Sequence, residues 1–143
     1  MTPDVNVLVA ASREDHGHHA VARRWLLDAL GGEASPLRLL PAVIAGFLRV
    51  VTSPRVFHQP TPISDAVAFI DALLCSRGVE ILGHGHEWPA LHDLCLARAL
   101  TANALPDAWI AATVTTAGEH LVTFDRDFRR LLRRPQLTVL KAG

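Results

Sequence analysis

Apolar residues recur along this chain with two periods. Residues 5–11, VNVLVAA, form a short continuous run rich in valine, the pattern of a strand covered on both faces, and predict the central strand of a sheet. From 15 to 32, DHGHHAVARRWLLDALGG, the period lengthens: Val21, Trp25, Leu26 and Ala29 fall at helical intervals, and the pattern stops at paired glycines. Residues 41–52, PAVIAGFLRVVT, open with proline and close before Ser53-Pro54, where the proline steers its predecessor away from helical dihedrals; a second helix is expected there. A third helix is expected from Ser64, as N-cap, to about Arg77. VEIL (79–82) then predicts a strand and EWPALHDLCLARALT (87–101) a helix. Pro106 opens the helix PDAWIAATVTTAG, which runs to Gly118, and LVTF (121–124) and LTVL (137–140) supply the last two strands. Strands alternating with helices in this order predict an α/β fold with a mainly parallel sheet. In such sheets ligands gather beyond the carboxyl ends of the strands.

Composition agrees with one such domain and removes several alternatives. A chain of 143 residues, 50% hydrophobic and 20% charged, can bury a real core. No apolar stretch approaches the roughly 20 residues that cross a bilayer, so no membrane span is expected. The start, MTPDVNVLVAA, has no basic region ahead of its apolar run and does not resemble a signal peptide; a cytoplasmic protein is expected. Cys75 and Cys95 sit in helix-like apolar segments, which suits buried, reduced thiols. Fourteen basic residues balance fourteen acidic ones, without the positive excess of a non-specific nucleic-acid coat. Lys141 is the only lysine, and Arg126, Arg129, Arg130, Arg133 and Arg134 crowd together after LVTF. They make either a solvated helix face or a phosphate-contacting patch.

The acids carry the chemistry. Asp125 and Asp127 follow LVTF, at the end of a strand where an α/β sheet binds ligands, and Asp107 lies in the first turn of a helix. Asp4 precedes the apolar residues of its run, so periodicity does not place it at that end. Each also has an ordinary structural explanation: an acid after Pro106 complements the dipole of a helix start, Asp125 and Asp127 can cap a short helix over RDFRRLL, and Asp4 can be a polar residue near a terminus.

The segments DVNVLVAA, GFLRVVTSPRVF, NALPDAWIAA and LVTFDRDF, in this order and spacing, resemble the PIN-domain ribonucleases, and more narrowly the VapC toxins of bacterial type II toxin–antitoxin pairs. The resemblance covers nearly the whole chain. It implies a single PIN domain over 1–143, a PIN-like three-layer sandwich with a central mainly parallel sheet flanked by helices. It implies an endoribonuclease that uses Mg²⁺ or Mn²⁺, with Asp4, Asp107 and Asp125 as catalytic metal ligands and Asn6 and Asp127 as auxiliary groups. RNA, a VapB-type antitoxin and a second copy of the chain are the implied partners, and Arg126 and Arg129 the nearest candidates for RNA phosphate. The chemistry is consistent. Carboxylates crowded together take up protons unless a cation neutralises them, and a hard, oxygen-rich site suits Mg²⁺, which also binds phosphate oxygens. The helices 41–52 and 64–77 are the expected docking surfaces, with Trp25, Phe47 and Phe57 as anchors, although core packing explains those aromatics equally well.

The chain departs from the family pattern at one point. Many members carry a glutamate in the helix corresponding to PAVIAGFLRVVT; here Ile44 or Gly46 stands in its place, which leaves a second reading, a binding module with weakened catalysis. The histidines of DHGHH and HGH, with His92, lack recognisable zinc spacing and any cysteine pair; His16, His18 and His19 read as a polar helix start beside the cleft. An aspartate-nucleophile phosphotransferase would want an activating lysine, and Lys141 stands near the end of the chain. No glycine-rich phosphate loop follows any strand.

Overall fold

A computed structural model describes residues 1–32, 35–83, 85–101 and 103–141. In chain order the elements are β1 (Thr2–Pro3), α1 (Val5–Ser12), α2 (His19–Gly31), β2 (Leu37–Leu39), α3 (Pro41–Val51), α4 (Ile63–Leu74), β3 (Val79–Ile81), α5 (Trp88–Arg98), α6 (Ala104–Ala117), β4 (Leu121–Thr123) and β5 (Leu137–Val139), with 3-10 turns at Arg126–Arg130 and Arg134–Gln136. All strand pairings are parallel: β1 with β4, β4 with β5, and β2 with β3. The strands form two sheets, one in the order β1-β4-β5 and one of β2 and β3, and the Arg38 amide, donating to the Met1 carbonyl at 2.9 Å, lays β2 beside β1.

The run expected as the central strand is the helix α1, and the strand is only Thr2–Pro3, with Asp4 between them. Val7, Leu8, Val9, Ala10 and Ala11 are all buried, because α1 is held between α2, α3 and β4. A helix covered on every side has no polar stripe, and its short apolar run looks like a buried strand. Asp4 decides the outcome locally: its carboxylate accepts from the Val5 amide at 2.7 Å and caps the helix. This correction removes the difficulty with Asp4, which now stands at the carboxyl end of β1.

Other boundaries moved for local reasons. β2 was not expected from the sequence. Ser64 is not a cap; α4 begins at Ile63 after Pro62. α6 begins two residues ahead of Pro106, which occupies the first turn, where its missing N–H has no intrahelical partner to lose. Cys75 is exposed and Cys95 half-buried, against the expectation of buried thiols. Phe47 is wholly buried and packs 5.4 Å from Phe69, so it belongs to the core and not to a docking surface. α5 buries no residue and rests chiefly on α6.

Candidate active site

Parallel pairing of β1 with β4 brings their carboxyl ends to one edge of the sheet, and the residues just beyond those ends face each other. Asp4 follows β1 directly and is 5% exposed. Its second oxygen accepts from the Asn6 amide at 2.9 Å and from the Thr123 hydroxyl at 2.7 Å, while its first caps α1. Asn6 reaches back across the seam, accepting from the Phe124 amide at 3.1 Å, and the Thr123 oxygen accepts from the Asp125 amide at 2.9 Å. Asp4, Asn6 and Thr123 thus bind the start of α1 to the end of β4 and fix the direction in which each group points. Thr123 was not singled out in the sequence; its signal is a hydroxyl two residues ahead of the strand-end acid.

Asp125 is half-buried and accepts from the Asp127 amide at 2.8 Å, so it also caps the following 3-10 turn. The structural explanation and the functional one coexist in this residue. Asp107, in the first turn of α6, completes the group. Burial, then the charges of Asp4, Asp125 and Asp127, push Asp107 up to about 6. Asp4 is raised as well, chiefly by burial and also by Asp125, against the lowering effect of its hydrogen bonds from Thr123, Val5 and Asn6. Asp127 is exposed and acts on the group through its charge.

Asp4, Asp107 and Asp125 stand at the lining of a cleft of about 1180 Å³ that runs along α3 to α5 and α6. Among the described residues, no three acidic, histidine or cysteine side chains stand close enough to form a ready-made coordination sphere. The donors nonetheless fit a hard divalent cation: they are carboxylate oxygens whose mutual repulsion such an ion relieves, and Mg²⁺ commonly takes one or two carboxylates and keeps several waters.

The sequence model of the PIN domain matches residues 1–133. Over 131 residues the chain is 40% identical to Ribonuclease VapC43 of Mycobacterium tuberculosis and to VapC ribonuclease Mb2897 of Mycobacterium bovis, spanning 91% of this chain and 88% of theirs. This chain is a PIN-domain protein of the VapC family. Ribonuclease VapC25 of M. tuberculosis is 34% identical over 136 residues, covering 89% of each chain. The three-layer PIN sandwich is shared with the crystal structure of VapBC2 from Rickettsia felis bound to a DNA fragment from its promoter, with a TM-score of 0.63 at 17% identity over 97% of this chain and 96% of that one.

Within this VapC-family fold the absent glutamate has a steric counterpart. Gly46 lines the cleft where α3 crosses α1, and a Cβ placed there would come within 2.7 Å of Val5 Cγ2. Ile44 is half-buried and packs against the core, so neither position presents an acid. Of the histidines, His16 lines the cleft, and burial followed by the charge of His18 lowers its pKa, which favours neutral imidazole. His18 stacks on Phe124 at 4.7 Å, bracing the residue before Asp125. His84 lies outside the described residues, and His92 pairs with Asp93 at 3.0 Å. Arg126 and Arg129 are exposed and do not line the cleft; Arg49 of α3, which sequence reasoning passed over, does.

Proposed function

We propose that this VapC-family chain is the endoribonuclease toxin of a toxin–antitoxin pair, a single cytoplasmic PIN domain over 1–143 that hydrolyses RNA phosphodiester bonds with Mg²⁺ or Mn²⁺ at Asp4, Asp107 and Asp125. The observation that carries this reading is that three carboxylates from three separate elements line one open cleft, where burial first and then the neighbouring charges raise Asp107 to about 6. The names of the relatives, VapC ribonucleases, supply the substrate class.

When bound, the cation supplies charge stabilisation for a phosphorane-like transition state and makes water more acidic. The chain's own residues do the rest. Asp4 is held in one orientation by the Val5 amide, Asn6 and Thr123, so its carboxylate needs no reorganisation. Asp107 has the freest carboxylate and the most displaced proton affinity, which makes it the group whose ionisation a cation changes most. Asn6 positions Asp4 and the Phe124 amide, and Asp127 adds negative charge at the rim. Unpaired or looped RNA is the preferred form, because its bases and bent backbone can enter a side-chain cleft.

A VapB-type antitoxin and a second copy of the chain complete the reading. The R. felis neighbour is a VapBC complex. Ile63 and Val67 on α4, 59% and 42% exposed, offer an apolar face for a second copy, while the cleft face of α3 suits an antitoxin segment.

The missing glutamate favours one other reading, a binding module with weakened catalysis. Cleavage of a mixed pool of structured RNAs, with Mg²⁺, Mn²⁺ or EDTA, separates the two. Activity that requires metal and vanishes in Asp107→Asn and Asp4→Asn supports the nuclease; folded, antitoxin-free protein that cuts nothing under either metal supports the binding module.

A further inference from the structure

The acidic end of the cleft poses an electrostatic difficulty for a polyanionic substrate, since three carboxylates repel the phosphates that must approach them. α3 presents the side chains that answer it. Ala42, Ala45, Gly46, Arg49 and Val50 line the cleft, and their spacing places them on one helix face. Three of these are small, so the helix backbone lies close to whatever occupies the space. Arg49, in the last turn of α3, is the one lysine or arginine among the described lining residues. It is exposed and makes no hydrogen bond or ion pair with any described residue. Its planar fork of donors matches a phosphate bidentately.

The same wall continues into the segment after α3, which carries Phe57. Arg13 lies over the Phe57 ring with Cζ 3.8 Å from the centroid. That guanidinium is itself fixed: it donates to Asp15 at 3.0 and 2.7 Å, to the Thr61 hydroxyl at 3.0 Å and to the Gln59 carbonyl at 3.0 Å. Phe57 lines the cleft, is half-buried and packs against the core, while Arg13 is not among the lining residues. Phe57 is therefore an apolar ring at the cleft wall, fixed between the core and a hydrogen-bonded cation. A ring so held suits a planar partner, because little side-chain freedom is lost when one stacks on it.

We propose that Arg49 and Phe57 form a nucleotide subsite: Arg49 grips an RNA phosphate next to the cleaved one, and Phe57 stacks the base of an unpaired nucleotide. The inference rests on the ribonuclease reading and names the two side chains that hold its substrate. A carboxylate from a protein partner would also satisfy Arg49, but it makes no use of the fixed ring of Phe57, whereas a nucleotide engages both side chains.

The test is fluorescence anisotropy with a labelled single-stranded oligoribonucleotide on the Asp107→Asn protein, with a glutamate-rich peptide measured in parallel. Arg49→Ala is expected to weaken RNA binding about tenfold and to reduce the salt dependence by about 0.7 in the log–log slope, the share of one phosphate contact on a single strand. Arg49→Lys keeps the slope. Phe57→Ala weakens binding by between about fivefold and about a hundredfold, the range for one lost base stack, while Phe57→Trp keeps affinity and guards against a merely loosened loop. In the otherwise wild-type enzyme both alanine variants raise KM and leave kcat near its starting value. Wild-type affinity and slope in both alanine variants overturn the inference, and so does an Arg49→Ala protein that loses the peptide but not the RNA. If the wild-type enzyme cuts RNA in either case, the nuclease reading survives; if it cuts none, that reading itself fails.

Discussion

Replacing Asp107 by asparagine separates the catalytic demand on this residue from its structural cost. The Asp107 carboxyl is moved from 3.8 to about 6, first by burial and then by the charges of Asp4, Asp125 and Asp127. A group whose folded pKa is raised opposes folding at any pH where the unfolded chain would ionise it. The penalty is full above about 6 and disappears as the pH falls through 6 towards 3.8. About two pKa units correspond to at most ~3 kcal/mol at ~1.4 kcal/mol per unit. Asp107 is only half-buried, so solvent screening reduces this to about 1 kcal/mol. Asparagine has similar shape and no charge. Metal-free Asp107→Asn protein should therefore melt about 2–4 °C above the parent at pH 7.5, a difference that shrinks as the pH falls through 6 and is largely gone below 3.8. Scanning calorimetry in EDTA measures both. Added Mg²⁺ should raise the parent's midpoint and leave the variant's unchanged, and the variant should not cut RNA. A variant that melts below the parent at pH 7.5, or whose advantage is undiminished below pH 3.8, would refute the claim that a half-buried carboxylate among like charges burdens the metal-free fold.

Asp4→Ala should behave in the opposite way. It removes the acceptor of the Val5 amide, the Asn6 amide and the Thr123 hydroxyl, so urea denaturation should show a loss of about 2–4 kcal/mol in addition to lost activity. Asn6→Ala should keep the fold by circular dichroism and lower kcat/KM or metal affinity about 10- to 100-fold, since Asn6 acts on the site by orienting Asp4 and Phe124. Gly46→Ala should cost about 1–3 kcal/mol, because its Cβ meets Val5 Cγ2 at 2.7 Å. The double variant with Val5→Ala should recover most of that loss, and a double-mutant cycle showing simple additivity would count against the contact.

Helix α3 was legible because Pro41 opens it and Ser53-Pro54 closes it, and β3, β4 and β5 stood out as apolar runs between turn residues. VNVLVAA was misread because a helix enclosed by α2, α3 and β4 loses the polar face that distinguishes it from a strand. β1, at two residues, is too short to carry a period at all. The acids came into view through their order along the chain and not through periodicity, which placed Asp4 at the wrong end of a strand that does not exist. Thr123, Arg13 and Arg49 stayed hidden for a common reason. Their roles depend on the direction in which each side chain leaves the backbone and on partners far away in the chain, and a one-residue uncertainty in register reverses that direction.

The hydrogen bond from Thr123 to Asp4 joins positions 119 residues apart. Its partners leave the ribosome 119 residues apart, Asp4 well before β4 and Asp125. Until β4 is available to lie beside β1, Asp4 lacks the hydroxyl that orients it and the neighbour that completes the acidic group. On the nuclease reading proposed above, this order of assembly is a safeguard: a chain still lacking β4 has no Thr123 to orient Asp4 and no Asp125 beside it, so the messenger and ribosome producing it meet an unfinished acidic group.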